Sequence, residues 1–232
     1  MSIEENLKSV RARIGAAAEA AGRNPEDITL IAVSKTRTAA EINEAIRLGV
    51  TDIGENKPQE IRDKYADVLP GVRWHMIGHL QTNKIKYIID KVCMIHSVDS
   101  LHLMEEIDRQ AKKHNLVMDI LIEVNISGEA SKHGIRPDEL PSLLEAAGGM
   151  ENIRVCGLMT VAPKSDSNFT NSLHFDNICE LFVDISRKKY DNVSMRCLSM
   201  GMSGDFEAAV KSGSTMVRVG SAIFGERDYQ KP

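Results

Sequence analysis

This sequence predicts an α/β fold: a single (β/α)8 barrel of the TIM type with one extra helix in front of it. Three observations carry that prediction. Short apolar runs alternate eight times with helix-like stretches, and such alternation demands parallel pairing, because each crossover returns the chain to the same edge of the sheet. The 232 residues suit one barrel, which typically needs ~250. No linker, low-complexity segment or repeat divides the chain, so residues 1–232 are read as one domain. An open doubly wound sheet is the alternative.

Residues 2–21 read as an amphipathic helix ended by Gly22, with Pro25 beyond it. Strands are expected at 29–34, 51–54, 73–77, 94–98, 118–125, 154–159, 195–198 and 216–219. Helices are expected near 38–48, 57–67, 81–90, 99–114, 137–147, 166–189 and 204–212, with a short one after the eighth strand.

Composition narrows the function classes. Hydrophobic residues make up 42% and charged ones 27%, the profile of a soluble globular protein. The net charge is −4 and the basic residues are scattered, which argues against a nucleic-acid footprint or a membrane-surface patch. No apolar run approaches the ~20 residues needed to span a bilayer. The start, Met1-Ser2-Ile3-Glu4-Glu5-Asn6, is unlike a secretory signal or transit peptide, so a cytoplasmic location is expected. Cys93, Cys156, Cys179 and Cys197 form no CxxC pair. They are read as structural thiols, and no zinc site is expected.

In such a barrel the functional groups lie on the loops after the strand C-termini. Strand one delivers Lys35, at the end of the run Ile28-Thr29-Leu30-Ile31-Ala32-Val33-Ser34-Lys35. A lysine amine titrates near ~10.4, burial or a positive neighbour lowers that, and an amine so tuned attacks aldehydes to form a Schiff base. Strand seven leads into Ser199-Met200-Gly201-Met202-Ser203-Gly204-Asp205-Phe206, where Ser203 reads as a helix N-cap and the glycines allow close backbone approach. Strand eight leads into Gly220-Ser221. Free N–H groups at such turns bind phosphate, and barrel phosphate sites often use these last two loops. Asp205 and Glu207 oppose an anion there unless they face outward. Strand eight closes against strand one, so a phosphate would lie within a cofactor's length of Lys35. Lysine, aldehyde and phosphate together suggest pyridoxal 5′-phosphate (PLP). His75 and His79 have a metal-like spacing but straddle a strand end, so no metal site is expected.

Motifs spanning residues 32 to 225 carry a family resemblance. They are Ala32-Val33-Ser34-Lys35-Thr36, Gly54-Glu55-Asn56 with Gln59-Glu60, and Trp74-His75-Met76-Ile77-Gly78-His79-Leu80-Gln81 with Asn83-Lys84. Ser131-Lys132-His133-Gly134-Ile135, Gly157-Leu158-Met159-Thr160, Ser199 to Asp205, and Val217-Arg218-Val219-Gly220 with Ile223-Phe224-Gly225 complete them. In these the chain resembles the pyridoxal phosphate homeostasis proteins, small relatives of the alanine racemase barrel; Gly128-Glu129-Ala130 sits in a variable loop.

The resemblance implies a barrel holding PLP as a Schiff base on Lys35. It implies phosphate contacts from Ser203, Gly204, Gly220 and Ser221, Asn56 beside the ring, and Arg218 facing the pyridine nitrogen. Met200, with Met159 and Met202, is read as padding the ring, although core filling is methionine's ordinary role. Lys132 looks like the lysine this family uses for a secondary cofactor contact. A guanidinium is always charged and keeps the ring nitrogen unprotonated, which weakens the ring as a carbanion sink.

A binding and delivery role in vitamin B6 homeostasis, with PLP-dependent apo-enzymes as recipients, is therefore expected over catalysis. The alternative is a PLP-dependent amino-acid racemase. That needs a second acid–base group, which a tyrosine on a separate C-terminal β domain supplies in the alanine racemase relatives. Such a domain is not expected after Gly225, and Tyr65, Tyr87, Tyr190 and Tyr229 occupy no strand end. A third reading is an aldolase-type amine on another phosphorylated ligand, with Glu55 and Asp99 as acid–base candidates. A monomer is expected, a dimer being the alternative.

Overall fold

The computed structural model describes residues 2–129, 132–163 and 168–226, and of 168–170 the backbone alone. Ser131, the start of the helix expected from 166, and Tyr229 lie outside the described residues. Eight strands form a closed parallel barrel in chain order: β1 (Thr29–Val33), β2 (Asp52–Glu55), β3 (Arg73–Met76), β4 (Met94–Val98), β5 (Met118–Glu123), β6 (Ile153–Met159), β7 (Val193–Met202) and β8 (Met216–Val219). β8 closes on β1, with Ala32 opposite Val219 and Ile31 opposite Arg218. The barrel expectation therefore holds and the open sheet does not.

The helices are α1 (Ile3–Ala20), α2 (Ala39–Arg47), α3 (Pro58–Lys64), α4 (Leu101–Lys113), α5 (Leu140–Ala147), α6 (Asn168–Ser186), α7 (Phe206–Lys211) and α8 (Ser221–Phe224). The segment between β3 and β4 is a 3-10 helix, Thr82–Tyr87, where an α-helix was expected. No side chain caps it, and Thr82, Asn83, Ile85 and Tyr87 are weak helix formers, so the tighter turn wins.

The extra helix α1 starts on a Ser2–Glu5 capping box and buries Leu7, Val10, Ile14, Ala17 and Ala18 as one stripe. That stripe lies against α7 and α8. Arg13 fixes the packing by donating to both carboxylate oxygens of Glu207 (3.0 and 2.7 Å), and the Asn6 side-chain amide donates to the Ile223 carbonyl (2.9 Å).

Most of the apolar core joins strands to helices; a smaller cluster of Met94, Leu121, Cys156, Met159 and Cys197 is rich in sulfur. All four cysteines are free, and Cys93 is exposed. No described helix is long and apolar enough to cross a membrane.

Candidate functional site

Lys35 lies in a turn directly after β1 and is half-buried. Its neighbours hold the turn. The Ser34 hydroxyl donates to Glu55 Oε1 (2.7 Å), and Lys64 Nζ bridges Glu55, Glu60 and the Ser34 carbonyl (2.9, 2.7 and 3.1 Å). The Thr36 N–H donates to Glu60 (2.7 Å), which secures Thr36 at a left-handed φ of 65°. Glu55 is fully buried; burial raises its pKa against the pull of Lys64. Glu55 thus belongs to the buttress of the Lys35 turn.

The last two loops meet beside this turn. The Ser203 hydroxyl accepts from the N–H groups of Gly220 (3.1 Å) and Ala222 (3.4 Å). This corrects the N-cap reading of Ser203. β7 runs on through Met202, Asp205 takes the cap position of α7, and Ser203 caps the following loop instead. Gly220 packs on β1: a Cβ there would lie 3.3 Å from Val33 Cβ and 3.4 Å from its carbonyl oxygen. Gly204 and Ser221 are exposed. The two acids are turned aside, Glu207 onto Arg13 and Asp205 back onto the Met202 N–H (2.6 Å) and the Asn171 side-chain amide (3.2 Å).

Arg218 is buried on β8. Its Nη1 donates to Ser199 Oγ (2.6 Å) and its Nη2 to the Thr160 carbonyl (2.8 Å). Burial lowers its pKa to about 10, while Glu123 and Asp205 oppose the shift, so it is charged at neutral pH. Glu123, buried at the end of β5, is pushed up to about 7 by burial and by Asp99. Its folded pKa exceeds its unfolded value, so stability falls as pH rises from about 4.5 to about 7 and then levels off. Glu123→Gln is accordingly expected to stabilise the chain by about 2 kcal/mol at pH 8 and to change little at pH 4. Thermal melts at the two pH values check this, and an equal effect at both would contradict it.

Around the mouth, the Asn56 backbone lies so close to Gly78 that a Cβ there would come within 2.5 Å of the Asn56 carbonyl oxygen. Lys132 Nζ reaches the Val161 carbonyl (3.2 Å), and burial lowers its pKa. His79 bonds Asp99 (3.2 Å) and stacks on His133, centroids 4.2 Å apart with planes 13° from parallel. An imidazole ligand holds a metal in its ring plane, and two stacked planes share no such point, so this cluster does not chelate as it stands. His75 points away from it, toward Asp52 and His96. Met200 is fully buried in the main core.

Residues 3–228 match the family described as alanine racemase, N-terminal domain. The pyridoxal phosphate homeostasis protein of Aquifex aeolicus (strain VF5) is 42% identical over 230 residues, covering 99% of this chain and 100% of that one. The chain belongs to the pyridoxal phosphate homeostasis protein family. Among solved structures, PipY of Synechococcus elongatus PCC7942 with PLP bound is 31% identical with a TM-score of 0.85, over 97% of this chain and 100% of that one. Alanine racemase from Corynebacterium glutamicum, 14% identical with a TM-score of 0.64, shares the fold over 97% of this chain and 63% of its own.

In this pyridoxal phosphate homeostasis family member the strand-end rule places Lys35, Asn56, Ser203 and Gly220 just past strand ends, whereas Arg218, named from the resemblance, lies within β8. The rule missed Ser199, His96, His75 and Asp52, which face one another inside the barrel, and the buttress residue Lys64. The available signal was a polar residue inside an apolar strand, as in Met94-Ile95-His96-Ser97-Val98.

Proposed function

We propose that this chain binds PLP at the barrel mouth as a Schiff base on Lys35 and serves to buffer and deliver it in the cytoplasm. Ser203, Gly204, Gly220 and Ser221 hold the phosphate, Asn56 lies beside the ring, Arg218 faces the pyridine nitrogen, and Met200 backs the site from the core. Recipients are PLP-dependent apo-enzymes, and the working form is a monomer, with a dimer as the alternative.

One observation carries the reading. Gly220 presses on Val33, two residues before Lys35, while its N–H and that of Ala222 converge on Ser203. A phosphate oxygen can replace the Ser203 hydroxyl as acceptor of these N–H groups, which stand one strand away from the amine. The relatives' names and the PLP-bound PipY point to the same ligand.

PLP supplies an aldehyde carbon that reacts with amines and, in enzymes, a sink for electrons. Arg218, charged and buried, keeps the ring nitrogen unprotonated and weakens that sink. Among the described tyrosines, Tyr65 and Tyr87 lie in the outer layer and Tyr190 follows α6, so none stands at the mouth as a second base. Carriage is favoured over racemisation on both counts. Borohydride reduction of PLP-loaded protein followed by peptide mapping is expected to place the pyridoxyl group on Lys35, with no turnover on a panel of L-amino acids. Label on another residue, or turnover lost on removing Lys35, would overturn the reading.

A further inference from the structure

A line of polar side chains crosses the barrel interior. Arg218 Nη1 donates to Ser199 Oγ (2.6 Å); Ser199 Oγ and His96 Nδ1 are 3.0 Å apart; His96 Nε2 and His75 Nδ1 are 2.9 Å apart; His75 Nε2 lies 2.8 Å from Asp52 Oδ1. At the far end Asp52 accepts from Arg73 Nε and Nη2 (2.8 and 2.7 Å) and from the Thr51 hydroxyl (2.7 Å). Arg73 is largely exposed, whereas Asp52, His75, His96, Ser199 and Arg218 are all buried. The line therefore joins the ring-facing arginine to the opposite end of the barrel.

The contacts fix the direction of every hydrogen. Burial opposes ionisation of Asp52, but its bonds from His75, Arg73 and Thr51 hold its pKa down to about 2, so it only accepts. His75 Nε2 must carry a proton toward it. His96 is fully buried beside Arg218, and both facts keep it neutral, with a single N–H. If that hydrogen were on Nδ1, Ser199 Oγ would receive two donors, from His96 and Arg218, and its own hydroxyl hydrogen would have no acceptor among these contacts. With the hydrogen on Nε2, His96 donates to His75 Nδ1, Ser199 donates to His96 Nδ1, and Arg218 donates to Ser199. Every hydrogen then has an acceptor and all bonds run one way, so each polarises the next.

We infer that Asp52, His75, His96 and Ser199 are positioning residues that orient and polarise the Arg218 guanidinium from the far end of the barrel, and so set its grip on a ring nitrogen. The inference rests on the proposed placement of Arg218 against PLP. A buried polar line in an apolar barrel is costly unless fully satisfied, and here its satisfaction depends on a carboxylate at the far end of the barrel.

The test compares two ligands: PLP, and an analogue with the ring nitrogen replaced by C–H. Ser199→Ala and Asp52→Asn are expected to weaken PLP binding about tenfold, the order of one hydrogen bond to a charged group. Binding of the analogue should stay within about twofold, and Ser199→Thr, which keeps the hydroxyl, should behave as the parent. Equal losses for both ligands would reduce the line to a structural role and overturn the inference, as would no loss for either. If the parent binds both ligands equally, the placement of Arg218 fails. The line is then judged by the nitrogen chemical shifts of His96 in the ligand-free protein: protonated Nε2 with bare Nδ1 supports it, and the reverse tautomer overturns it.

Discussion

Lys35→Ala is expected to abolish both the visible band that PLP acquires on binding and the pyridoxyl label left by borohydride. PLP affinity should fall about a hundredfold or more, the ~3 kcal/mol equivalent of a lost linkage. The ligand-free chain should melt within about 1 kcal/mol of the parent, because the turn is held by Ser34, Thr36, Glu55, Glu60 and Lys64. Lys35→Arg keeps a positive charge but offers no amine to an aldehyde, so it should lose the band as well. Titration followed by absorbance, with mass spectrometry after reduction, provides the check. Label retained at the parental level in either variant would remove the covalent part of the proposal.

The largest effect on stability is expected from Gly157→Ala. Gly157 lies within β6 at a φ of 149°, which L side chains rarely adopt. A Cβ there would sit 1.8 Å from the Cys197 carbonyl oxygen and 2.7 Å from its carbon. Those are backbone atoms of the neighbouring strand, so the clash cannot be relieved by a rotamer change. The register of β6 on β7 shifts just before this point, so that Gly157 pairs with Cys197 and Met159 with Ser199. The slip therefore belongs to the geometry that turns Ser199 toward Arg218. A loss of about 4 kcal/mol or more is expected, seen as a much lower urea midpoint or as insoluble protein. A change below about 1 kcal/mol would show that the barrel accommodates the methyl group.

The barrel was legible because period and punctuation are local properties. Eight apolar runs and the stops between them suffice to place eight strands, and the residues just past each run fall at the mouth by rule. Lys35, Asn56, Gly220 and Ser221 were placed just past strand ends in this way, and the strand bounds agree. What escaped was set by contacts between strands. β7 is longer than its apolar run because its last residues pair with β8, Met202 lying opposite Arg218. Ser203 looked like a cap for its own helix, yet its hydroxyl serves a loop seventeen residues on. Met200, read as backing the ring, is buried in the main core beside a register shift between β7 and β8. His75 and His79 are close in sequence and part in space, one inside the barrel and one at its rim. The interior line from Arg218 to Asp52 draws on four strands (β2, β3, β4 and β7) besides its own, and no single window of sequence contains it.

The seam between β1 and β8 has a consequence for the newly made chain. Thr29 and Met216 are partners across it, and Gly220 completes its grip only by resting on Val33. During synthesis the amine of Lys35 leaves the ribosome long before the turns that would cradle a phosphate. Until the final strand docks, an aldehyde could meet that amine but would find no cradle beside it. On the proposed placement of the ligand, tight capture is confined to chains whose ring has shut, and ligand retention becomes a report on finished folding.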